Sequence, residues 1–214
     1  MIIPKLHYIT QGNTPKEILE NIQKACASGA ELVQLKDENS SEKKFLKLAK
    51  EAIKITSHYQ TRLIISGHYK IAKDIKADGV HLEKTDACPT LVRKHIYPWQ
   101  TIGGTANTLE DCETLLDKSI NYISLGPFKA SEITNNTGSI LGLKGYTAIT
   151  DVLKTPIPMV GFGGITTTDV GDILETGISG IAVSTDITLN FDNIKVFNQL
   201  LSASLTKEQR YTFK

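Results

Sequence analysis

Residues 157–187 read "IPMVGFGGITTTDVGDILETGISGIAVSTDI". An apolar, β-rich run, "IPMVGF", meets two adjacent glycines, Gly163 and Gly164, and then Thr166 with Asp169 in the pattern of a helix start. Apolar residues at helical spacing follow. The helix ends in small and polar residues and drops at once into a second apolar run, "GIAVS". A strand, a helix and a strand joined by such short links form a parallel βαβ unit. The glycine pair leaves the backbone uncovered where a strand gives way to a helix, which is where an anion can approach amide groups.

The same unit recurs along the chain. "LHYIT", "ELVQL", "RLIIS", "GVHL", "QTIGG" and "NYISLG" are further β-rich runs, which brings the expected strands to eight. Helix starts are expected at Thr14 with Pro15 and Glu17, at Asn39 with Glu42 and at Asn107 with Glu110. The helix-to-strand turn echoes in "CASGAELVQL", "DIKADGVHL" and "DKSINYISLG". Eight β/α alternations in 214 residues fit an α/β fold, a single TIM (β/α)8 barrel, occupying residues 1–204 with 205–214 as a frayed tail. A Rossmann-like sheet is the alternative, but no G-x-G-x-x-G follows the first strand. In a barrel the chemistry gathers at the C-terminal strand ends, and phosphate sits on the loops after strands 7 and 8. Gly163 and Gly164 follow strand 7, and Ser184 and Thr185 follow strand 8. A side chain at Gly164 is expected to fill the anion's place with little harm to the fold.

Composition narrows the function classes. Twenty-four Lys and Arg against twenty-three Asp and Glu give a formal charge of +1, without the broad basic field that nucleic-acid binding needs. No run reaches the roughly 18 apolar residues of a membrane span, and the first residues are too short an apolar run for a signal peptide. The expectation is a cytoplasmic protein acting on a small phosphorylated substrate, without nucleic acid or membrane and with homo-oligomerisation open. Cys26, Cys88 and Cys112 are odd in number and unpatterned, so they are expected to be free and at least half-buried.

The stretches "GAELVQLKDENSSEKKFLKLAKE", "KADGVHLEKTD", "YISLGPFKASEITNNTGSILGLKG" and "GGITTTDVGDILETGISGIAVSTDI" resemble the thiamine-phosphate synthase family, which includes the thiazole tautomerases, from about Leu6 to Ile187. The resemblance implies a reaction in which an aminopyrimidine diphosphate is joined to a thiazole phosphate while Mg²⁺ holds the leaving diphosphate. It also implies roles for residues. Gly163, Gly164, Ser184 and Thr185 match the phosphate site, Gln34 matches, and Thr105 keeps the hydroxyl where the family has Ser. Asp86 matches one metal carboxylate. Ser66-Gly67 stands where the family has Asn-Asp, so the second carboxylate is missing. Lys36 replaces an Arg, and Glu38 stands where a cation is usual. Thr134 takes the place of a lysine, with Glu132 adding negative charge.

Lys129, Lys84 and Lys70, each soon after an expected strand, could replace the lost cations. His68, directly after Gly67, could act as a general base near neutral pH. His81 is expected to pack or hydrogen-bond inside the barrel, while His7, His58 and His95 carry no constellation. The tautomerase's histidine after the strand 6 glycine is Pro127 here. Residues 129–142 have the length of a lid. Three readings stand on these residues: a synthase with a rebuilt diphosphate pocket, an isomerase of the thiazole phosphate, and a binder of thiamine intermediates.

Overall fold

The computed structural model describes residues 2–130 and 139–211, with side chains as far as 203. Eight parallel strands close into a barrel in chain order: β1 (Leu6–Ile9), β2 (Leu32–Leu35), β3 (Arg62–Ser66), β4 (Gly79–Leu82), β5 (Thr101–Ala106), β6 (Tyr122–Leu125), β7 (Met159–Phe162) and β8 (Gly180–Val183). β8 closes on β1 with Leu6 opposite Ile181 and Tyr8 opposite Val183. The helices are α1 (Pro15–Ala27), α2 (Glu42–His58), α3 (Tyr69–Asp74), α4 (Pro89–His95), α5 (Leu109–Leu116), α6 (Gly142–Val152), α7 (Val170–Glu175), α8 (Thr185–Leu189) and α9 (Asn193–Tyr211). The TIM barrel is as expected, and all eight strands fall where the β-rich runs placed them. α9 runs on to Tyr211, past position 205, where a tail was expected to begin.

Two of the four expected helix starts hold, and two are displaced. Thr14 caps α1 through its hydroxyl, and Thr166 with Asp169 forms a reciprocal capping box, here opening a 3-10 turn (Thr167–Asp169) that leads into α7. α5 is capped by Thr108 with Asp111, one residue beyond the expected pair. Asn107 instead donates its side-chain amide to the Gly126 carbonyl at 2.6 Å. Ser41, not Asn39, is the N-cap residue of α2, and the Asn39 backbone amide turns back onto the Asp37 carboxylate.

Strand alternation sends one set of side chains toward the helices and the other into the barrel. The outward set, with residues such as Val33, Leu63, Ile65, Val80, Ile102 and Ile123, joins the helices in the large apolar core. The inward set is polar for a barrel: His7, Gln34, Ser66, His81, Thr101 and Ser124 are all buried. Tyr122, Val160 and Ala182 form a separate small apolar cluster. Gly103 on β5 is required by this interior, because a Cβ there would overlap the Tyr122 ring. Cys26 and Cys112 are buried and free as expected, but Cys88 is exposed because it lies outside the core ahead of α4.

Candidate active site

The residues nominated from sequence fall into two groups on the C-terminal rim of the barrel. After β7 and β8, Gly163 and Gly164 lie one and two positions beyond the register pair Phe162–Ala182, next to Ser184 and Thr185. Both glycines have positive φ, +96° and +64°. Their first physical reason is the segment following β6. Phe128 donates its amide to the Phe162 carbonyl at 2.7 Å, and Lys129 donates to the Gly163 carbonyl at 3.0 Å. A Cβ on Gly163 would lie 2.7 Å from the Pro127 Cβ, and one on Gly164 would lie 3.0 Å from the Lys129 Cβ. The expectation that position 164 accepts a side chain at little cost to the fold is therefore corrected, since backbone sign and neighbouring chain both oppose it. The amides of Gly164, Ser184 and Thr185 have no backbone acceptor among the described residues, while the Gly163 amide continues the β7–β8 ladder toward the Ala182 carbonyl.

The second group spans β2 to β5. The Gln34 amide, buried, donates Nε2–H to the Ser66 hydroxyl at 3.0 Å, and its Oε1 has no partner among the described residues. Lys36 Nζ lies 2.9 Å from a Glu38 carboxylate oxygen and 3.4 Å from one of Glu83. Glu83, at the end of β4, went unnoticed in the sequence because its partners come from other strands. Its own backbone N–H donates to Asp86 Oδ2 at 2.7 Å. One ammonium thus stands between two carboxylates, and a third, Asp86, is bound to the backbone of one of them. Burial opposes the charge on Lys36, but Glu83 and then Glu38 hold its pKa above the ordinary lysine value. Burial also opposes the charge on Glu83, yet His81, Lys36 and the Thr105 hydroxyl keep its carboxyl below the ordinary value.

Behind Thr105 a buried chain of groups fixes the hydroxyl's direction. Thr105 Oγ1 lies 2.8 Å from His81 Nε2, and His81 Nδ1 lies 3.0 Å from the Tyr122 hydroxyl. A carboxylate only accepts, so a Thr105 hydroxyl turned to Glu83 donates to it and accepts from His81 Nε2–H. His81 Nδ1 is then the acceptor for Tyr122. This order requires a neutral imidazole, and burial lowers the His81 pKa to about 4. Burial, with His81 nearby, lowers that of His7 to about 3, even though His7 Nε2–H donates to the Pro4 carbonyl at 3.1 Å. The expectation that His81 hydrogen-bonds inside the barrel is met, whereas His7, passed over in the sequence, proves to be a buried neighbour of the same tyrosine.

The other candidates are placed differently. His68 precedes α3 and lies against the Phe45 ring, 4.5 Å between centroids. Lys129 pairs with Asp169 at 2.6 Å, and Lys84 pairs with Asp111, so both are tied to helix-capping carboxylates. Lys70 is exposed on α3. Thr134, Glu132 and most of the expected lid lie outside the described residues. The residues present do not make a Mg²⁺ site of their own. Asp86 Oδ2 is held by the Glu83 amide, Gly67 brings no carboxylate, and no metal-binding group of three or more His, Cys, Asp or Glu exists among the described residues. No helix is long and apolar enough to cross a membrane among the described residues.

The fold is thus a closed TIM barrel whose C-terminal rim carries glycine turns after β7 and β8 and a charged cluster after β2 and β4. A family model described as thiamine monophosphate synthase matches residues 6–187, and the chain belongs to that family. It is 39% identical over 204 residues to a thiamine-phosphate synthase of Flavobacterium johnsoniae, covering 94% of this chain and 96% of the relative. A thiamine-phosphate synthase of Bacteroides fragilis is 32% identical, covering 92% and 98%. Among solved structures, the thiamine phosphate pyrophosphorylase of Pyrococcus furiosus superposes with a TM-score of 0.81 at 24% identity over 93% of this chain and 96% of that one.

Proposed function

We propose that the protein is a thiamine-phosphate synthase that couples hydroxymethylpyrimidine diphosphate to a thiazole phosphate and releases diphosphate. The observation that carries this reading is the set of amides at Gly164, Ser184 and Thr185, without a backbone acceptor among the described residues and beside Gly163, on the same rim as Gln34, Lys36 and Thr105. The thiazole phosphate docks on those amides with the Ser184 and Thr185 hydroxyls beside them. The buried Gln34 Oε1 accepts from the pyrimidine's exocyclic amine. In the bond-making step the carbon–oxygen bond to the diphosphate breaks, and diphosphate leaves with the electron pair. The thiazole nitrogen then donates its lone pair to the pyrimidine methylene carbon. Lys36 turns from Glu38 toward the leaving oxygens and offsets the charge that develops there. Mg²⁺ would offset part of the diphosphate charge, and of the two carboxylates the family resemblance implies for it this chain keeps Asp86.

Pro127 at the position of the tautomerase histidine argues against the isomerase. The binder has one observation in its favour: Lys36, Lys84 and Lys129 are each already paired with a carboxylate. A turnover assay with both synthase substrates and Mg²⁺, run beside a thiazole isomerisation assay, separates the readings. Thiamine phosphate formed at about 1 s⁻¹ or faster, an ordinary enzymatic rate, is expected. Tight thiazole-phosphate binding with no turnover in either assay would overturn the synthase in favour of a binder.

A further inference from the structure

Three residues that the family resemblance assigns to the site, Lys36 on the end of β2, Thr105 on β5 and Asp86 after β4, share one neighbour that the resemblance does not assign. That neighbour is Glu83. Its carboxylate is 3.4 Å from Lys36 Nζ, its amide is 2.7 Å from Asp86 Oδ2, and the Thr105 hydroxyl lies against its charge. Lys36 has a second partner in Glu38, but that residue is exposed, with 75% of its side chain open against 37% for Glu83. Glu38 can swing into solvent when an anion arrives. Glu83 is tied through its own backbone to Asp86 and lies beside the Thr105 hydroxyl, which is itself braced by His81 and Tyr122.

We propose that Glu83 is a positioning residue, which holds the Lys36 ammonium and the Thr105 hydroxyl in one array for the anionic group of the substrate and keeps resting affinity for free anions low. The proposal rests on the synthase reading of the site for its role in turnover, while the array itself can be tested without turnover. Lys36 is the cation an incoming diphosphate meets, and with Glu83 beside it the anion faces a neutralised lysine. Removing the carboxylate exposes the ammonium and frees it at the same time. Ground-state binding should strengthen while alignment of the leaving group is lost. A residue needed only for folding would weaken both.

The probe is inorganic diphosphate, titrated by calorimetry into the full-length protein. Glu83→Gln should bind it about three- to tenfold more tightly than the unmodified protein, and that gain should vanish in the Lys36→Met background. Lys36→Met and Thr105→Val should be non-additive by about threefold or more while Glu83 is present and additive in Glu83→Gln. Where the protein turns over, Glu83→Gln should lower kcat about tenfold or more while KM for the pyrimidine diphosphate falls. Glu83→Ala, which also removes the charge, should give the same gain in diphosphate affinity and serves if the glutamine variant does not fold. Unchanged diphosphate affinity in the folded variants, or a gain that persists without Lys36, would overturn the proposal. Absence of turnover in the unmodified protein would defeat the synthase reading alone, because the diphosphate titrations still decide whether Glu83 governs Lys36.

Discussion

The two halves of the rim are built from different materials. After β7 and β8 the features are backbone: positive-φ glycines, amides without a backbone acceptor among the described residues, and a capping box. Across β2 to β5 they are side chains from four strands, Gln34 with Ser66, Lys36 with Glu83, and His81 with Thr105. The first half tolerates almost no substitution but needs few particular side chains. The second can be rewritten one residue at a time, and the family resemblance implies such changes at Gly67, Glu38 and Lys36.

The comparison breaks most visibly at Gly163. A valine there would combine a φ of +96° with a Cβ 2.7 Å from the Pro127 Cβ, so Gly163→Val should destabilise the protein by about 3–5 kcal/mol, combining backbone strain and overpacking. Urea unfolding measures this, and a change below about 1 kcal/mol would show that the backbone half is not rigid.

The side-chain half should fail first in acid. The folded-state pKa of His81, about 4, lies below its ordinary 6.5, so the neutral ring contributes stability that is present above pH 6.5 and lost as the pH falls toward 4. His7 extends the loss toward pH 3. For His81 the difference of 6.5 and 4 corresponds to about 3 kcal/mol at about 1.4 kcal/mol per unit. Urea melts at stepped pH should show stability dropping below pH 6.5, and His81→Asn should flatten that part of the profile. A flat wild-type profile between pH 7 and 4.5 would contradict the buried neutral pair.

The smallest expected effect sharpens the comparison by restoring a side chain. A Cβ at Gly67 would lie 3.3 Å from Asp86 Oδ1, close enough for two carboxylates to share one cation. The φ there is +71°, which aspartate tolerates better than most residues. Gly67→Asp should raise Mg²⁺ affinity by about 10- to 100-fold, read by calorimetry with the metal alone. No change would mean that Asp86 stays bound to the Glu83 amide.

What was legible in the sequence follows the same division. Strand alternation, glycine pairs and a Thr-x-x-Asp cap are local, so the barrel, its eight strands and the glycines at 163 and 164 could be read directly. Where two polar residues competed for a cap, as at Asn107 and Thr108, the choice was one residue off because only tertiary contact with Gly126 settles it. Gln34, Lys36, Asp86 and Thr105 could be nominated through resemblance, but Glu83 could not, since its meaning lies in neighbours on β2 and β5. The lysines show the converse. Lys84 and Lys129 follow strands and looked available, yet each sits within reach of a capping carboxylate on a separate element.

The Tyr122 ring stands where a side chain at Gly103 would be, and its hydroxyl ends the hydrogen-bonded chain through His81 to Thr105. Positions 103 and 122 therefore behave as a single heritable unit. A lineage cannot gain a side chain at 103 without surrendering the tyrosine, and with it the brace behind the site hydroxyl. A glycine inside the barrel, below the rim, thus carries a memory of the chemistry there.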